Sequence, residues 1–249
     1  MKTRGLACAV GFLLVAPACA LDITACYQTV PAGEVGTLAA DLNCDGSGGP
    51  EVNVDAGAAL QLNGHTITGG HIGVASYPGG QRATIEGPGQ VTGLTGNAPP
   101  YGCAISVQGR ALIRNVTLSG NDCGIDAVYN FGLTLEDVQI TNNTGDGVTF
   151  IPPGPGGGRV KAARTTITNN GGTGIVGALR VIGQEITVTG NAAGGVLGPA
   201  GVTLVDSTIT GNGPAGDIQS AHPPRLRNTT CDHSRNTTSG TPFGVCTLD

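Results

Sequence analysis

The sequence has very few large aromatic side chains, with no tryptophan, four phenylalanines and four tyrosines among 249 residues. A core built around large aromatic side chains is therefore excluded. Forty-four residues are glycine, and many of the apolar side chains are small or β-branched. Such side chains pack in regular layers, which is typical of a solenoid of β-strands and not of an ordinary β-sandwich.

Charged side chains and long apolar runs are also scarce. Only 12% of the residues are charged and the formal net charge is −5, so the basic face of a nucleic-acid-binding protein is not expected. Beyond the first twenty residues no segment is apolar enough to cross a bilayer as a helix. We expect no nucleic-acid partner, no membrane span, and a soluble monomer.

The first twenty residues have the pattern of a secretory signal peptide. Lys2 and Arg4 precede an apolar run over residues 6–16, and Ala-Cys-Ala at residues 18–20 is a small-x-small cleavage site. Cleavage after Ala20 predicts a secreted protein, either extracellular or periplasmic. The alternative is a lipoprotein attached through Cys19, which Pro17 fits poorly.

A short phrase of alternating apolar and polar residues recurs five times in the second half of the chain. Each copy ends in an asparagine, and successive asparagines are 22, 27, 21 and 21 residues apart. They are Asn121, Asn143, Asn170, Asn191 and Asn212. A near-constant period of this length predicts stacked repeats, and we expect the amides to form a hydrogen-bonded ladder at one bend.

Alignment on these asparagines reveals apolar columns ten, eight and three residues upstream. The columns are Ala111, Leu133, Val160, Val181 and Val202; Ile113, Leu135, Ala162, Gly183 and Leu204; and Leu118, Ile140, Ile167, Val188 and Ile209. Strand side chains alternate between faces, so the columns must point inward. The intervals leave no room for helices. We therefore predict an all-β, single-domain parallel β-helix of about seven coils.

The phrase LNGHTIT at residues 62–68 and the repeated apolar-x-x-Asn rungs carry a family resemblance. The chain resembles the right-handed, single-stranded parallel β-helix proteins of the pectate-lyase-like superfamily, most of all secreted ones built of generic β-helix repeats, over about residues 52–220. The resemblance implies the fold. It does not fix the activity, because that superfamily holds lyases, hydrolases, epimerases and proteins of no known activity.

The predicted organisation has four segments and one insertion. A signal peptide (residues 1–20) precedes an N-terminal cap with the first strands (21–58), the β-helix repeats (59–220) and a C-terminal cap (221–249). The Pro–Gly-rich residues 152–158 explain the one long interval. We interpret them as a loop between coils, where β-helix proteins often place function.

Six cysteines remain after the signal peptide, and an even number in an exported chain favours disulfides. They are Cys26, Cys44, Cys103, Cys123, Cys231 and Cys246. Six cysteines allow 15 pairings, and the sequence alone does not choose among them. Cys103 and Cys123 are 20 residues apart, about one repeat, so they could pair across neighbouring coils. Cys26–Cys44 and Cys231–Cys246 would then staple the two ends of the solenoid.

Two further sets of polar residues recur with the repeat. Hydroxyl side chains stand four and two residues before the asparagines, as in Thr166 and Thr168, on an outward face. Threonine suits exposed strands, yet such a lattice could also match ice or a repetitive glycan. Charged residues at the preceding bend predict surface ion pairs, with Arg114 paired to Glu136 or Asp137.

The candidate site combines cations and carboxylates. Arg110, Arg159 and Arg180 stand at one edge of the repeat, with Lys161 beside them, and guanidinium groups bind carboxylates and sulfates of acidic polysaccharides. The second set, on neighbouring coils, is Asp122, Asp126 and Asp146. These carboxylates could bind Ca²⁺ or act as the acid and base of a glycosidase. Ordinary solvated charges and turn aspartates are the alternative.

These residues lead to a functional hypothesis with an open alternative. The paired-aspartate phrase of the superfamily's hydrolases and the Asp-Pro-His-Glu phrase of its epimerases are absent. An enzyme here would more readily be a polysaccharide lyase, with Ca²⁺ on the aspartates and Lys161 or Arg159 abstracting the proton. The alternative is a non-catalytic surface or adhesion protein, or an ice-binding protein using the threonine face.

Overall fold

The structure, a computed structural model, describes residues 20–45, 49–96, 102–151 and 158–249. The predicted signal peptide lies outside these ranges except for Ala20, and so does the Pro–Gly-rich insertion except for Gly158. The described part of the chain contains no helix that is long and apolar enough to cross a membrane.

The described residues form 27 strands and no helix. The strands are β1 (Leu21–Ile23), β2 (Gln28–Val30), β3 (Val35–Leu38), β4 (Leu42–Asn43), β5 (Pro50–Val54), β6 (Ala59–Gln61), β7 (Thr66–Thr68), β8 (Ile72–Ser76), β9 (Ala83–Glu86), β10 (Gln90–Thr92), β11 (Cys103–Arg114), β12 (Thr117–Ser119), β13 (Cys123–Glu136), β14 (Gln139–Thr141), β15 (Val148–Ile151), β16 (Arg159–Ala163), β17 (Thr166–Thr168), β18 (Thr173–Val176), β19 (Arg180–Gln184), β20 (Thr187–Thr189), β21 (Gly194–Leu197), β22 (Gly201–Val205), β23 (Thr208–Thr210), β24 (Ile218–Ser220), β25 (Arg225–Arg227), β26 (Thr230–Cys231) and β27 (Ser234–Asn236).

The strands stack in parallel on three faces of a solenoid, which confirms the predicted parallel β-helix. The first face runs from β1 and β3 to β22 and β25, and includes the second halves of β11 and β13. The second face runs from β2 and β5 to β24 and β27, and includes the first halves of β11 and β13. The third face consists of the nine short strands from β4 to β26.

The nine strands of the third face correspond to nine coils among the described residues, compared with the seven expected. The two outermost strands of this face, β4 and β26, lie in the segments predicted as caps. Neither Leu42–Asn43 nor Thr230–Cys231 carries the Thr-x-Thr phrase. Counting that phrase therefore misses the end coils, although their backbones pair in register with the rest.

The core is filled by the three apolar columns predicted from the repeat, all of which are buried. On the third face the burial pattern is typified by β17, where Ile167 is buried between the half-buried Thr166 and Thr168. Burial of one Ile or Leu side chain contributes about 1.5–3 kcal/mol. Stacked aliphatic side chains thus supply the hydrophobic free energy that large aromatics supply elsewhere.

A left-handed backbone residue marks the bend before most third-face strands. Asn115, Asp137, Arg164, Glu185 and Asp206 have φ between 46° and 56°. Asn and Asp adopt this conformation more readily than other non-glycine residues. The bend therefore explains why polar residues recur there.

The bend also carries surface ion pairs, one of which differs from the prediction. The Nε and Nη2 atoms of Arg164 donate to the two carboxylate oxygens of Asp137 at 2.6 and 2.8 Å. Arg114 donates to Glu86, at 2.8 Å, and not to Glu136 or Asp137 as predicted. Arg114 is in register with Glu86 on one neighbouring strand and with Glu136 on the other. Register alone cannot select between them.

The predicted asparagine ladder is present, and four of its five asparagines are buried, whereas Asn212 is half-buried. Each Nδ2 donates to the Oδ1 of the next asparagine at 3.1, 2.9, 2.9 and 2.9 Å. At the C-terminal end, Nδ2 of Asn212 donates to Oδ1 of the buried Asp217 at 2.8 Å. At the other end, Oδ1 of Asn121 accepts from the amide of Leu94 at 3.1 Å. Both ends of the ladder are therefore satisfied.

Three disulfides join the six cysteines in the expected pairs. The Cα–Cα distances are 5.9 Å for Cys26–Cys44, 4.4 Å for Cys103–Cys123 and 5.0 Å for Cys231–Cys246. Cys103 and Cys123 are direct register partners on β11 and β13. The first disulfide holds the N-terminal coil, and the last holds the C-terminal segment.

Candidate functional site

The four predicted cations lie together on the first face. Arg159 begins β16 and Arg180 begins β19, and the two are direct register partners. On the other side, Arg110 is in register with Gly132. Lys161 lies two residues beyond Arg159, on the same side of the strand. The column therefore crosses several coils parallel to the solenoid axis.

A fifth cation, Arg82, extends this column and was not predicted. It immediately precedes Ala83, which is in register with Ala111, so it occupies the position that Arg110 occupies one coil later. The sequence feature that could have identified Arg82 is the continuation of the arginine column upstream. The bend between β9 and β10 has one extra residue, because Gln90 follows Glu86 by four positions whereas Thr117 follows Arg114 by three. This residue displaces Arg82 from the count.

The five cations surround one cleft of about 670 Å³. Its other lining residues are Gly132, Leu133, Thr134, Gly158, Leu179 and Ala200. No carboxylate belongs to this lining among the described residues, and all five cationic side chains are exposed. The cleft is therefore a concentrated region of positive charge on a protein whose net charge is −5.

The cations of the cleft are not used in ion pairs within the described ranges. The four ion pairs that these ranges contain involve His65, Arg114, Arg164 and Arg227. Neighbouring coils are about 4.8 Å apart, so like charges on adjacent strands repel each other. Arg159 and Arg180 carry this cost without a compensating carboxylate. An external anion would remove it.

Lys161 lies at the border between this cleft and a second, smaller depression of about 340 Å³. Thr134 is its register partner on β13 and also lines both depressions. The smaller depression is also lined by Glu136 and Gln184. Lys161 is thus the one lysine in a cleft of arginines, with a carboxylate close by.

The predicted carboxylate ligands have other roles. Oδ2 of Asp122 accepts a hydrogen bond from the amide of Gly96 at 2.5 Å, and its Oδ1 accepts from Oγ1 of Thr144 at 3.2 Å. Oδ1 of Asp146 accepts from the amide of Thr173 at 2.6 Å. These two aspartates hold turns of neighbouring coils together, as expected for aspartate in turns.

Asp126 is different because it is buried and has no hydrogen-bond partner among the residues that the structure describes. Its neighbours Ile125 and Ala127 belong to the core, so the alternation of β13 points Asp126 away from the core. The side chain is nevertheless 0% exposed, and neither carboxylate oxygen makes a hydrogen bond within the described ranges. Burial raises the pKa of Asp126 to about 6.

The structure does not gather the three aspartates into a calcium site. Among the described residues, one group of three potential metal-ligating side chains has its ligand atoms within 4.8 Å of one another, and it consists of Cys26, Cys44 and Glu51. The predicted Ca²⁺ chemistry therefore lacks the converging oxygens that the ion requires. Spacing along the sequence placed the aspartates on neighbouring coils but could not show their side-chain directions.

Comparison with known families agrees with the architecture. The sequence profile of the family described as right handed beta helix region matches residues 50–222. The chain belongs to this family. A comparison with curated proteins found no match. The family assignment establishes the right-handed parallel β-helix and leaves the ligand to be inferred from the cleft.

Proposed function

We propose that this right-handed β-helix protein is secreted and binds an acidic polysaccharide in the cationic cleft. The observation that carries the proposal is the convergence of five cations on a cleft without a lining carboxylate. Guanidinium groups bind carboxylates and sulfates through paired hydrogen bonds. Three disulfides, which persist in oxidising compartments, support export.

The column of cations suggests how the polymer lies. Arg82 and Arg110 precede Gly132 in the column, and Arg159 and Arg180 follow it. Five successive coils at about 4.8 Å each span roughly 19 Å from the first cation to the last. A linear polymer that carries an anionic group on each unit matches this column when it runs along the solenoid axis.

Lys161 favours a second candidate function, which is β-elimination of the bound polymer. A lyase needs a base that removes the proton next to a uronate carboxylate. A guanidinium keeps its proton in proteins, so Arg159, the other predicted base, fits a binding role better. Lys161 lies among arginines that would neutralise the carboxylate, and it is the cleft residue best suited to proton abstraction.

Titration calorimetry with a polyuronate, a sulfated polysaccharide and an uncharged glucan tests the binding proposal. We expect the anionic polymers to bind and the glucan not to bind. Arg159→Ala with Arg180→Ala should weaken binding about 10-fold or more, since each charge-assisted hydrogen bond contributes about 1.5–3 kcal/mol. Arg225→Ala is the matched control, because Arg225 is an exposed arginine on the first face outside the cleft lining.

Equal binding of the uncharged glucan, or unchanged binding in the double variant, would contradict the proposal. Unsaturated uronate products absorb in the ultraviolet, so the same polymers report on the lyase reaction. We expect Lys161→Ala to abolish any such product formation while binding persists. A polymer that binds but yields no unsaturated product identifies a non-catalytic binding protein.

A further inference from the structure

The N-terminal end of the solenoid contains a buried carboxylate against a disulfide. Cys26 lies between β1 and β2, Cys44 follows β4, and Glu51 lies in β5. One Glu51 oxygen and the two sulfur atoms are all within 4.8 Å of one another. This corner is far along the chain from the cationic cleft and takes no part in the proposed polysaccharide binding.

The carboxylate of Glu51 lacks a full set of partners. The side chain is 0% exposed, and Oε2 makes no hydrogen bond with any described residue. Oε1 accepts one long hydrogen bond, of 3.3 Å, from the amide of His71. A buried carboxylate oxygen without a donor is costly and rare. A partner for Oε2 in another state of the protein would explain why glutamate occupies this position.

Gly70 leaves space for the carboxylate beside the disulfide. Gly70 has a left-handed backbone, with φ of 82°, and a Cβ at this position would collide with Oε1 of Glu51. The glycine therefore leaves room for the carboxylate. Burial and the negative charge of Asp45 raise the pKa of Glu51, while the His71 amide and ring lower it less.

We propose that reduction of the Cys26–Cys44 disulfide converts this corner into a binding site for a thiophilic divalent cation of the zinc type. Cys26, Cys44 and Glu51 are the ligands. A dithiol reductant supplies two electrons and two protons, the S–S bond breaks to give two thiols, and the reductant is oxidised to a disulfide. When the cation binds, each thiol releases its proton to solvent.

The ligand set selects the class of ion. Two thiolates and one carboxylate are donors that Zn²⁺ accepts, with a fourth position left for water. Sulfur ligands disfavour Ca²⁺ and Mg²⁺, which bind oxygen. The cation would partner the unsatisfied Oε2 of Glu51 and hold the first coil in place of the disulfide.

Cobalt binding by the full-length mature chain tests the proposal, because thiolate–Co²⁺ absorption reports sulfur ligation directly. The protein is reduced with a water-soluble phosphine, which becomes its phosphine oxide. We expect one Co²⁺ per reduced chain, displaced by Zn²⁺, and no such absorption from the oxidised chain. Glu51→Gln should weaken Co²⁺ binding about 10-fold or more, as one of three ligands is altered. Glu34→Gln, an exposed glutamate nearby in sequence, is the matched control.

The other four cysteines are also reduced, so the double variant Cys26→Ser with Cys44→Ser identifies their contribution. We expect the thiolate–Co²⁺ absorption to disappear in this variant. Absorption that persists there, that is absent in the reduced wild type, or that is equal in Glu51→Gln would overturn the proposal. Circular dichroism supplies an independent measurement, because a reduced chain that loses its β-structure and does not regain it with Zn²⁺ would also overturn it.

Discussion

The asparagine ladder and the cationic cleft belong to overlapping coils but are built in opposite ways. In the ladder every asparagine amide donates to a neighbour, and the asparagines from Asn121 to Asn191 are at most 2% exposed. In the cleft every cation is exposed, and none forms an ion pair within the described residues. The ladder is satisfied internally, whereas the cations of the cleft have no counter-charge among the described residues.

The two regions also differ in how strictly they repeat. The ladder is continuous from Asn121 to Asn212, because each amide needs its neighbour as a hydrogen-bond partner. The cation column is interrupted at Gly132 and ends at Gly201. Like charges on adjacent strands do not stabilise a sheet. The repeated features therefore account for stability, and the features that depart from the repeat are where a ligand is to be sought.

The largest expected effect comes from breaking the ladder at its middle. Asn170→Ala removes the side-chain amide hydrogen bonds to Asn191 and to the carbonyl of Ile140. It also removes the Oδ1 atom that accepts from the backbone and side-chain amides of Asn143. We expect the free energy of unfolding to fall by about 2–4 kcal/mol, since buried groups would be left unsatisfied. Urea denaturation measures this loss.

Thr168→Ala is the control for this variant, because Thr168 is a half-buried residue two positions away on the same coil. We expect its effect to stay within about 0.5 kcal/mol. If the two variants were equally destabilised, the ladder would carry no special share of the stability. Polysaccharide binding by folded Asn170→Ala should match the wild type.

An intermediate effect is expected from Asp126, which is buried like the ladder but unpaired like the cleft. Its pKa of about 6 in the folded protein exceeds the ordinary value of 3.8. Between these two pH values the folded state binds more protons than the unfolded state, so the free energy of unfolding falls as pH rises. Asp126→Asn should remove this decline and stabilise the protein at neutral pH by about 1–3 kcal/mol.

Urea denaturation at about pH 4 and about pH 7 measures this effect, following the linkage between protonation and stability. Asp22→Asn is the matched control for removal of one carboxylate, because Asp22 is exposed on β1. A gain from Asp126→Asn that is equal at both pH values would show that the carboxylate does not titrate in this range.

The repeat made the fold and much of the cleft predictable from the sequence. In a parallel solenoid, apolar columns that alternate with period two can point only towards the core. The buried columns, the ladder and the Cys103–Cys123 register therefore followed from spacing. Three cleft arginines shared a column for the same reason. Lys161 was recognisable because it lies two residues beyond Arg159 on the same strand.

The remaining features depend on information that spacing does not contain. Arg82 was missed because Leu94 occupies the asparagine position of its coil, and because the bend between β9 and β10 has one extra residue. The partner of Arg114 and the directions of the three aspartates depend on side-chain rotamers and on hydrogen bonds to turns. The unpaired burial of Asp126 and Glu51 depends on what lies above each side chain, which no repeat specifies.

The smallest effect on stability, with a clear effect on binding, is expected at the gap in the cation column. A Cβ at Gly132 would meet no atom within 4 Å, so Gly132→Glu and Gly132→Gln should both change the free energy of unfolding by less than about 1 kcal/mol. The two side chains differ in charge and hardly in size. The carboxylate of Gly132→Glu would lie between Arg110 and Arg159 and neutralise the cleft from within. We expect it to weaken polyuronate binding about 10-fold relative to Gly132→Gln, with a difference that shrinks as salt screens the charges.

Equal affinities of the two variants in calorimetry would mean that the cleft does not bind its ligand through charge, and the contrast with the ladder would then lose its functional meaning.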